Sequence, residues 1–236
     1  KAMVATGKPV VAVLLHGRPN AVNYIAGNVP AILDGWYLGQ EGGTALADVL
    51  FGDYNPAGRL PVSFPYESGQ EPYYYNHRNT GRPLDPKDPA FKAKYREAPN
   101  EALYPFGHGL SYSKFTYTDT KVNAATLPWN GTLTVTTRIT NTSARPGEEV
   151  AQLYVRDRLA SITRPVRELK GFRKLQLAAG ASTDVSFQLT RKDLEFVGPD
   201  NTWIAEPGKF DVWIAPSSAT GVPTQFTLAA AAPKPE

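Results

Sequence analysis

Two continuous apolar runs lie in the first 65 residues, and a segment capable of forming a helix follows each of them. The runs are VVAVLL at Val10–Leu15 and PAILDGWYL at Pro30–Leu38. Strands that are apolar on both faces are typical of the covered interior of a parallel α/β sheet. Asn20–Ala26 can form a helix, and Gly42–Phe51 has apolar residues at helical spacing, with Gly52 placed to end the helix. The pattern predicts the order β-α-β-α and an open α/β sheet.

No lasting period of either kind runs through residues 55–105, which are rich in Pro, Gly, Tyr and Asn. An aperiodic stretch of this length usually marks a functional loop or a segment that covers another element. Its centre is Tyr73–Pro83, with the sequence YYYNHRNTGRP.

Apolar and polar residues alternate after Tyr112, in the segments FTYTDTKV, TLTVTTRITN, VAQLYVRD, TDVSFQL and GKFDVWIAP. Short alternating strands separated by turn residues predict an all-β, immunoglobulin-like antiparallel sandwich. One face of the second segment carries Leu133, Val135, Thr137 and Ile139. The sequence RPVRELKGFRKLQLAAGAS adds a strand with a turn at Gly180, and the tail at 230–236 is expected to fray.

Composition is that of a globular protein, with 42% hydrophobic and 20% charged residues. The net charge of +3 is dispersed, without a Lys/Arg block, so the sequence indicates no nucleic-acid partner. The absence of cysteine excludes disulfides, thiolate metal sites and a cysteine nucleophile. No apolar run approaches the roughly 20 residues of a membrane-spanning helix, so we expect no membrane partner.

Three histidines are too few to indicate a metal site, and no cofactor-binding motif is present. His16 follows the first predicted strand, where α/β folds bind ligands, although HGRP is first of all a turn sequence. His108 lies within YPFGHGLSY, which is interpreted as a rigid junction between two folded units. Glu41 begins the predicted helix at GQEGG and is explained as a partner for free N–H groups and the helix dipole. Glycoside hydrolysis needs two carboxylates, but spacing selects no pair.

The YYYNHRNTGRP loop supplies the candidate binding residues Tyr74, Tyr75, Arg78 and Asn79. Tyrosine rings stack on sugars, and Asn and Arg side chains bond to hydroxyl groups or to a partner chain. The same composition also suits a loop that only covers a sheet edge. The residues alone leave both interpretations open.

A family resemblance rests on QEGG, ADVLFGDYNPAGRLPVSFP, TGRP and YPFGHGLSY, a highly specific combination. These motifs resemble the C-terminal α/β-sandwich domain of family 3 glycoside hydrolases, in particular β-glucosidases of the periplasmic bacterial type. The later ITNTSARPGEEVAQLYVRD and EPGKFDVWIA resemble the fibronectin type III-like domain that often follows it. The implied division is an incomplete α/β sandwich at 1–112, including the loop 55–105, a fibronectin type III-like domain at 113–229 and a tail at 230–236.

The resemblance implies the C-terminal portion of a retaining β-glucosidase that hydrolyses terminal non-reducing β-D-glucosyl residues of β-glucosides or cello-oligosaccharides. It implies one wall of the active-site cleft and a bracing domain, with no metal or cofactor. In this family an N-terminal barrel holds the aspartate nucleophile, and the acid/base glutamate precedes the GKPVV strand. No residue here matches either motif, so we expect no catalytic residue in this chain and no activity from it alone. The family's setting is periplasmic or secreted, although no signal peptide is visible.

An alternative is a noncatalytic carbohydrate-binding or subunit-assembly module, and the exposed loop also suggests a homodimer. A reading frame that continues upstream of Lys1 into a barrel would favour the enzyme portion. A genuine start codon at that point would favour the module.

Overall fold

The computed structural model describes residues 1–83, 87 and 92–232. Its N-terminal part follows the predicted order of strands and helices, preceded by one short helical turn. The elements are α1 (Ala2–Ala5), β1 (Val11–Leu14), α2 (Asn23–Asn28), β2 (Ala31–Asp34) and α3 (Gly42–Phe51).

Strands β1 and β2 pair in parallel, with Val11 opposite Ala31 and Leu14 opposite Asp34. This pairing confirms the open α/β arrangement, although both strands are shorter than the apolar runs that predicted them. Of the two faces expected to be covered, one is open in the described residues, since Val11 is 51% exposed and Val13 is 37% exposed, whereas Ala12 and Leu14 on the other face are partly buried. Apolar strand faces of this kind are stable where other chain segments pack over them.

Helix α3 has the bounds predicted from its apolar spacing. Gly52 ends it in the left-handed conformation with φ of 87°, and its N–H bonds to the carbonyl oxygen of Val49. This is the conformation that a glycine at the end of a helix adopts without steric cost.

The described residues of the segment 55–105 are irregular, as the missing periodicity predicts. They contain one 3₁₀ turn at Ser68–Gln70 and an isolated antiparallel bridge between Phe64 and Tyr104. Side chains bond to backbone groups here, for example the Tyr73 hydroxyl, which donates to the Asn100 carbonyl oxygen at 2.7 Å. These bonds give partners to backbone N–H and C=O groups that strand pairing would otherwise hydrogen-bond.

The C-terminal part is all-β. Its strands are β3 (Phe115–Val122), β4 (Thr126–Leu127), β5 (Thr132–Asn141), β6 (Gly147–Asp157), β7 (Glu168–Leu177), β8 (Ser182–Thr190), β9 (Phe196–Val197), β10 (Trp203–Ile204), β11 (Gly208–Ala215) and β12 (Thr224–Leu228). One sheet has the order β4-β12-β11-β6-β7, a second has the order β3-β5-β8, and β9 and β10 form a small hairpin.

The two larger sheets enclose a core of aliphatic and phenylalanine side chains. The predicted inner face of β5 is buried throughout, with Leu133, Val135, Thr137 and Ile139 each 0% exposed. Alternation along the other strands buries residues such as Leu153 and Val212 in the same core. The structure confirms the predicted fold class, an α/β sheet followed by an all-β sandwich. The predicted fraying of the tail falls partly on 233–236, which lie outside the described residues.

Candidate functional site

The edge of the parallel sheet holds a histidine–aspartate pair. His16 follows β1 and Asp34 ends β2, so parallel pairing brings them together, with His16 Nε2 at 3.0 Å from Asp34 Oδ1. Trp36 and Phe64 pack against the imidazole, with ring centroids 4.9 Å and 5.8 Å from it. Despite this short distance the two atoms do not have hydrogen-bond geometry: both imidazole nitrogens and both Asp34 carboxylate oxygens are buried without a hydrogen-bond partner in the described part of the chain. This is the strand end at which open α/β sheets bind ligands.

Glu41 occupies the N-terminal cap position of α3, as its sequence context predicts. Its carboxylate makes no capping hydrogen bond, however, because the residue has φ of −84° and ψ of 10° and its side chain is exposed. The backbone carbonyl oxygen of Glu41 instead accepts the first helical bond, from Ala45 at 3.0 Å. What remains of the expected role is the favourable placement of a negative charge at the positive end of the helix dipole.

Tyr75, one of the four candidate binding residues, lies in a packed aromatic cluster. Its ring stacks on Phe106 with centroids 4.2 Å apart and meets the ring of Tyr154 edge-on. Its hydroxyl accepts a hydrogen bond from the backbone N–H of Leu169 at 3.1 Å. These contacts anchor the loop on the sandwich.

The other three candidates are exposed. Tyr74 begins the turn that contains Tyr75, lies outside that cluster and is 63% exposed. Arg78 forms an isolated antiparallel bridge with Pro165, and its side chain faces solvent. Asn79 lines an open groove of about 270 Å³ whose other residues lie at 156–164. The structure thus places Tyr74, Arg78 and Asn79 where a ligand or another chain can reach them.

The YPFGHGLSY segment joins the irregular segment to the sandwich. The Gly107 carbonyl oxygen accepts a bond from the buried Gln152 side chain at 3.1 Å, and the Tyr154 hydroxyl donates to the Gln152 amide oxygen at 2.5 Å. Gly107 has φ of 79°, and a Cβ at this position would overlap Gln152. The glycine is therefore required both for its backbone conformation and for its close approach to β6.

His108 fills the same turn and stacks on Tyr104, with ring centroids 5.3 Å apart and planes inclined by 20°. Burial, and then the positive charge of Arg59, lower the pKa of His108. These contacts indicate a packing role for a neutral imidazole.

Sequence reasoning missed several polar and aromatic side chains that the fold brings to the loop. Arg156 on β6, Arg167 before β7 and Trp213 on β11 lie against it on the outer face of the five-stranded sheet. Arg167 lies over the Trp213 ring at 4.1 Å, and burial lowers the pKa of Arg167 to about 10. The sequence carries no local signal for this grouping, because each residue belongs to an ordinary alternating strand or its flank.

Within the described ranges, no three His, Asp or Glu side chains are grouped so as to hold a metal ion. No helix in these ranges is long and apolar enough to cross a membrane.

Comparison with known proteins connects these features to one family. Residues 1–112 match the model of the glycosyl hydrolase family 3 C-terminal domain, and residues 149–218 match that of the fibronectin type III-like domain. The periplasmic beta-glucosidase of Salmonella typhimurium is 48% identical over 228 residues, or 96% of this chain and 30% of that protein. A beta-xylosidase of Formosa agariphila is 42% identical over 222 residues, 92% of this chain and 29% of its own length.

Solved structures agree with this assignment. The crystal structure of a beta-glucosidase from Listeria innocua in complex with gluconolactone superposes with a TM-score of 0.92 at 39% identity. The match covers 96% of this chain and 32% of the Listeria chain. The present chain therefore spans about a third of the length of the proteins that it resembles. It belongs to glycosyl hydrolase family 3, and it carries the C-terminal domain of that family followed by a fibronectin type III-like domain.

Proposed function

We propose that this chain is the C-terminal portion of a retaining β-glucosidase that hydrolyses terminal non-reducing β-D-glucosyl residues. The observation that carries the proposal is 48% identity across nearly the whole chain to a periplasmic beta-glucosidase. The proposed division is 1–112 for the α/β portion, including 55–105, and 113–229 for the sandwich. Residues 1–112 form one wall of the active-site cleft, and the sandwich braces it.

The edge that carries His16, Asp34 and Trp36 is the proposed cleft wall. It combines an imidazole, a carboxylate and an indole at the carboxyl ends of parallel strands, the position at which such sheets bind ligands. Double displacement needs a nucleophile and an acid/base group, which we assign to the portion of the enzyme outside this chain. The chain alone is accordingly inactive, and the whole enzyme acts in the periplasm or outside the cell without a cofactor.

The test is a comparison of this chain with the complete enzyme encoded by the same gene. The complete enzyme should release aryl alcohol from an aryl β-glucoside, and NMR should show the β-anomer of glucose as the first product. Turnover by the 236-residue chain alone, with contaminating activity excluded, would contradict the assignment of catalysis to the missing portion. A preference for an aryl β-xyloside would move the substrate class toward that of the Formosa relative.

A second candidate function is a noncatalytic carbohydrate-binding or subunit-assembly module. The exposure of Tyr74, Arg78 and Asn79 favours it, since these side chains are open to a sugar or to a second copy of the chain. Titration with cello-oligosaccharides and light scattering, with Arg78→Ala as the variant, test the two roles separately. If the variant changes neither oligosaccharide binding nor the oligomeric state, the loop is purely structural.

A further inference from the structure

A second cavity, of about 290 Å³, lies where the irregular segment meets the outer face of the five-stranded sheet. The charged and aromatic side chains that line it are Tyr73, Tyr75, His77, Glu101, Arg156, Arg167 and Trp213. We call this cavity the junction pocket. Its volume is near the lower end, about 300 Å³, of the range for small-molecule sites, and its mixture of aromatic and polar groups is typical of them.

Arg156 is the first reason to assign a ligand. Its side chain is half-buried, yet its guanidinium forms no hydrogen bond, ion pair or ring contact with any described residue. Two other arginines differ in this respect: Arg167, which lines the same pocket, donates to the Thr220 carbonyl oxygen at 2.9 Å, and Arg164 bonds to Glu168 at 2.9 Å. A partly desolvated guanidinium with five unused donors is a site for an oxygen-rich partner.

Trp213 and Glu101 point to the same cavity. Trp213 is 6% exposed, and its indole Nε1–H has no hydrogen-bond partner in the described part of the chain. This nitrogen is itself buried, so a ligand in the cavity meets the side of the indole ring and does not reach its N–H. Glu101 is exposed and likewise forms no ion pair or hydrogen bond within the described ranges. Among the described residues, the pocket therefore offers an unpaired guanidinium and an unpaired carboxylate beside the Trp213 ring.

The combination of these groups narrows the ligand class. Arg156 and Arg167 both repel a cation, but Arg167 already donates to Thr220, and Glu101 repels an anion, so a neutral ligand with both donors and acceptors can bond to Arg156 and Glu101 together. Vicinal hydroxyl groups both donate to a carboxylate and accept from a guanidinium, while the tyrosine and histidine rings offer apolar faces. We propose that the junction pocket binds one pyranose unit of a neutral saccharide, held between Arg156 and Glu101. The choice of a saccharide rests on the proposed function, whereas the existence of a binding site does not.

The experiment is an NMR titration of the 236-residue chain with cellobiose. The chain has four tryptophans, and Trp213→Phe identifies the indole signal of the one in the pocket. We expect the Trp213 signal to move saturably, and we expect Arg156→Met and Glu101→Gln each to raise the Kd about tenfold or more, the usual effect of losing a charged hydrogen bond. Arg138→Met, the same change on the exposed surface of the other sheet, should leave the Kd unchanged.

The three remaining tryptophan signals report whether each variant is folded. The proposal is overturned if neither cellobiose nor xylobiose shifts the Trp213 signal, or if folded Arg156→Met retains the wild-type Kd. Arg156-dependent binding of inorganic phosphate in place of either sugar would overturn the saccharide assignment. Hydrolysis of an aryl β-glucoside by the complete enzyme tests the proposed function separately. An enzyme without this activity would leave the NMR evidence for the pocket intact, and a pocket that binds no sugar would leave the activity intact.

Discussion

Arg59 and Glu149 form a buried ion pair between the irregular segment and strand β6, with Arg59 Nη2 at 2.5 Å from Glu149 Oε2. Their side chains are 8% and 3% exposed. The Tyr117 hydroxyl donates to the other carboxylate oxygen at 2.7 Å. Burial raises the pKa of Glu149, against the opposing effect of Arg59. The pair therefore links the two parts of the chain. Removing both charges from water costs free energy, and their mutual attraction offsets that cost.

Glu149→Gln is expected to lower the free energy of unfolding by about 3 kcal/mol, because it leaves Arg59 buried without a counter-charge. Urea denaturation of the 236-residue chain measures the change. The matched control is Asp184→Asn, which breaks the exposed pair with Arg138 and should leave the urea midpoint nearly unchanged. Equal midpoint shifts in the two variants would show that burial of the first pair has no energetic consequence.

Gly107→Ala should destabilise the chain by about 2 kcal/mol or more, through the strain of a positive φ and the displacement of the buried Gln152 side chain. Gly180→Ala separates the two causes. Gly180 has a similar φ of 71°, but a Cβ there meets nothing within 4 Å. Thermal unfolding should show a clearly larger loss for Gly107→Ala. Losses of the same size would mean that the close approach to β6 is accommodated without cost.

Tyr75→Phe is expected to cost about 1–2 kcal/mol in unfolding free energy, because it leaves the Leu169 N–H without its acceptor. Tyr74→Phe is the neighbouring control and should be neutral, since that side chain is largely exposed. Chemical denaturation of both variants tests the contrast. If only Tyr74→Phe proved destabilising, the assignment of the two tyrosines would be reversed.

Asp157 provides a test of pH dependence. Burial raises its pKa to about 6 from an ordinary value of 3.8. The folded state thus holds this proton more tightly than the unfolded state does. Its contribution to stability is fully present below about pH 4 and is lost as the pH rises through about 6.

Asp157→Asn removes this titration, so the Tm of wild type relative to the variant should fall between about pH 4 and pH 7. The Tm of each protein, measured across that range, checks the sign. Asp184→Asn again serves as a control, because Arg138 lowers the pKa of Asp184 and its titration lies below this range. If the Tm of wild type minus that of Asp157→Asn rose with pH, the result would contradict the burial of this carboxylate.

Much of the secondary structure could be predicted from local pattern. The alternation in FTYTDTKV and TLTVTTRITN marks the same residues that form β3 and β5, and the apolar spacing of Gly42–Phe51 marks α3. These predictions succeed because side-chain period and backbone geometry are coupled within a few residues. The ends of β1 and β2 were less accurate, since pairing with a neighbouring strand, and not the apolar run itself, decides where a strand stops.

The candidate site could be predicted only in part. The composition of YYYNHRNTGRP singled out the loop, but it could not separate the exposed Tyr74 from Tyr75, which packs on Phe106. Nothing local connects Arg156 and Trp213 with that loop.

The sequence by itself determined most of the longer elements, the order of the α/β and all-β parts and the family motifs, because these depend on short-range periodicity and on residue identity. Only the tertiary structure decided that Arg59 meets Glu149, that His16 meets Asp34, and that Arg156 has no partner among the residues that the structure describes. Such contacts join residues far apart in the chain, and burial and charge act through space. Their consequences appear only when the chain has folded.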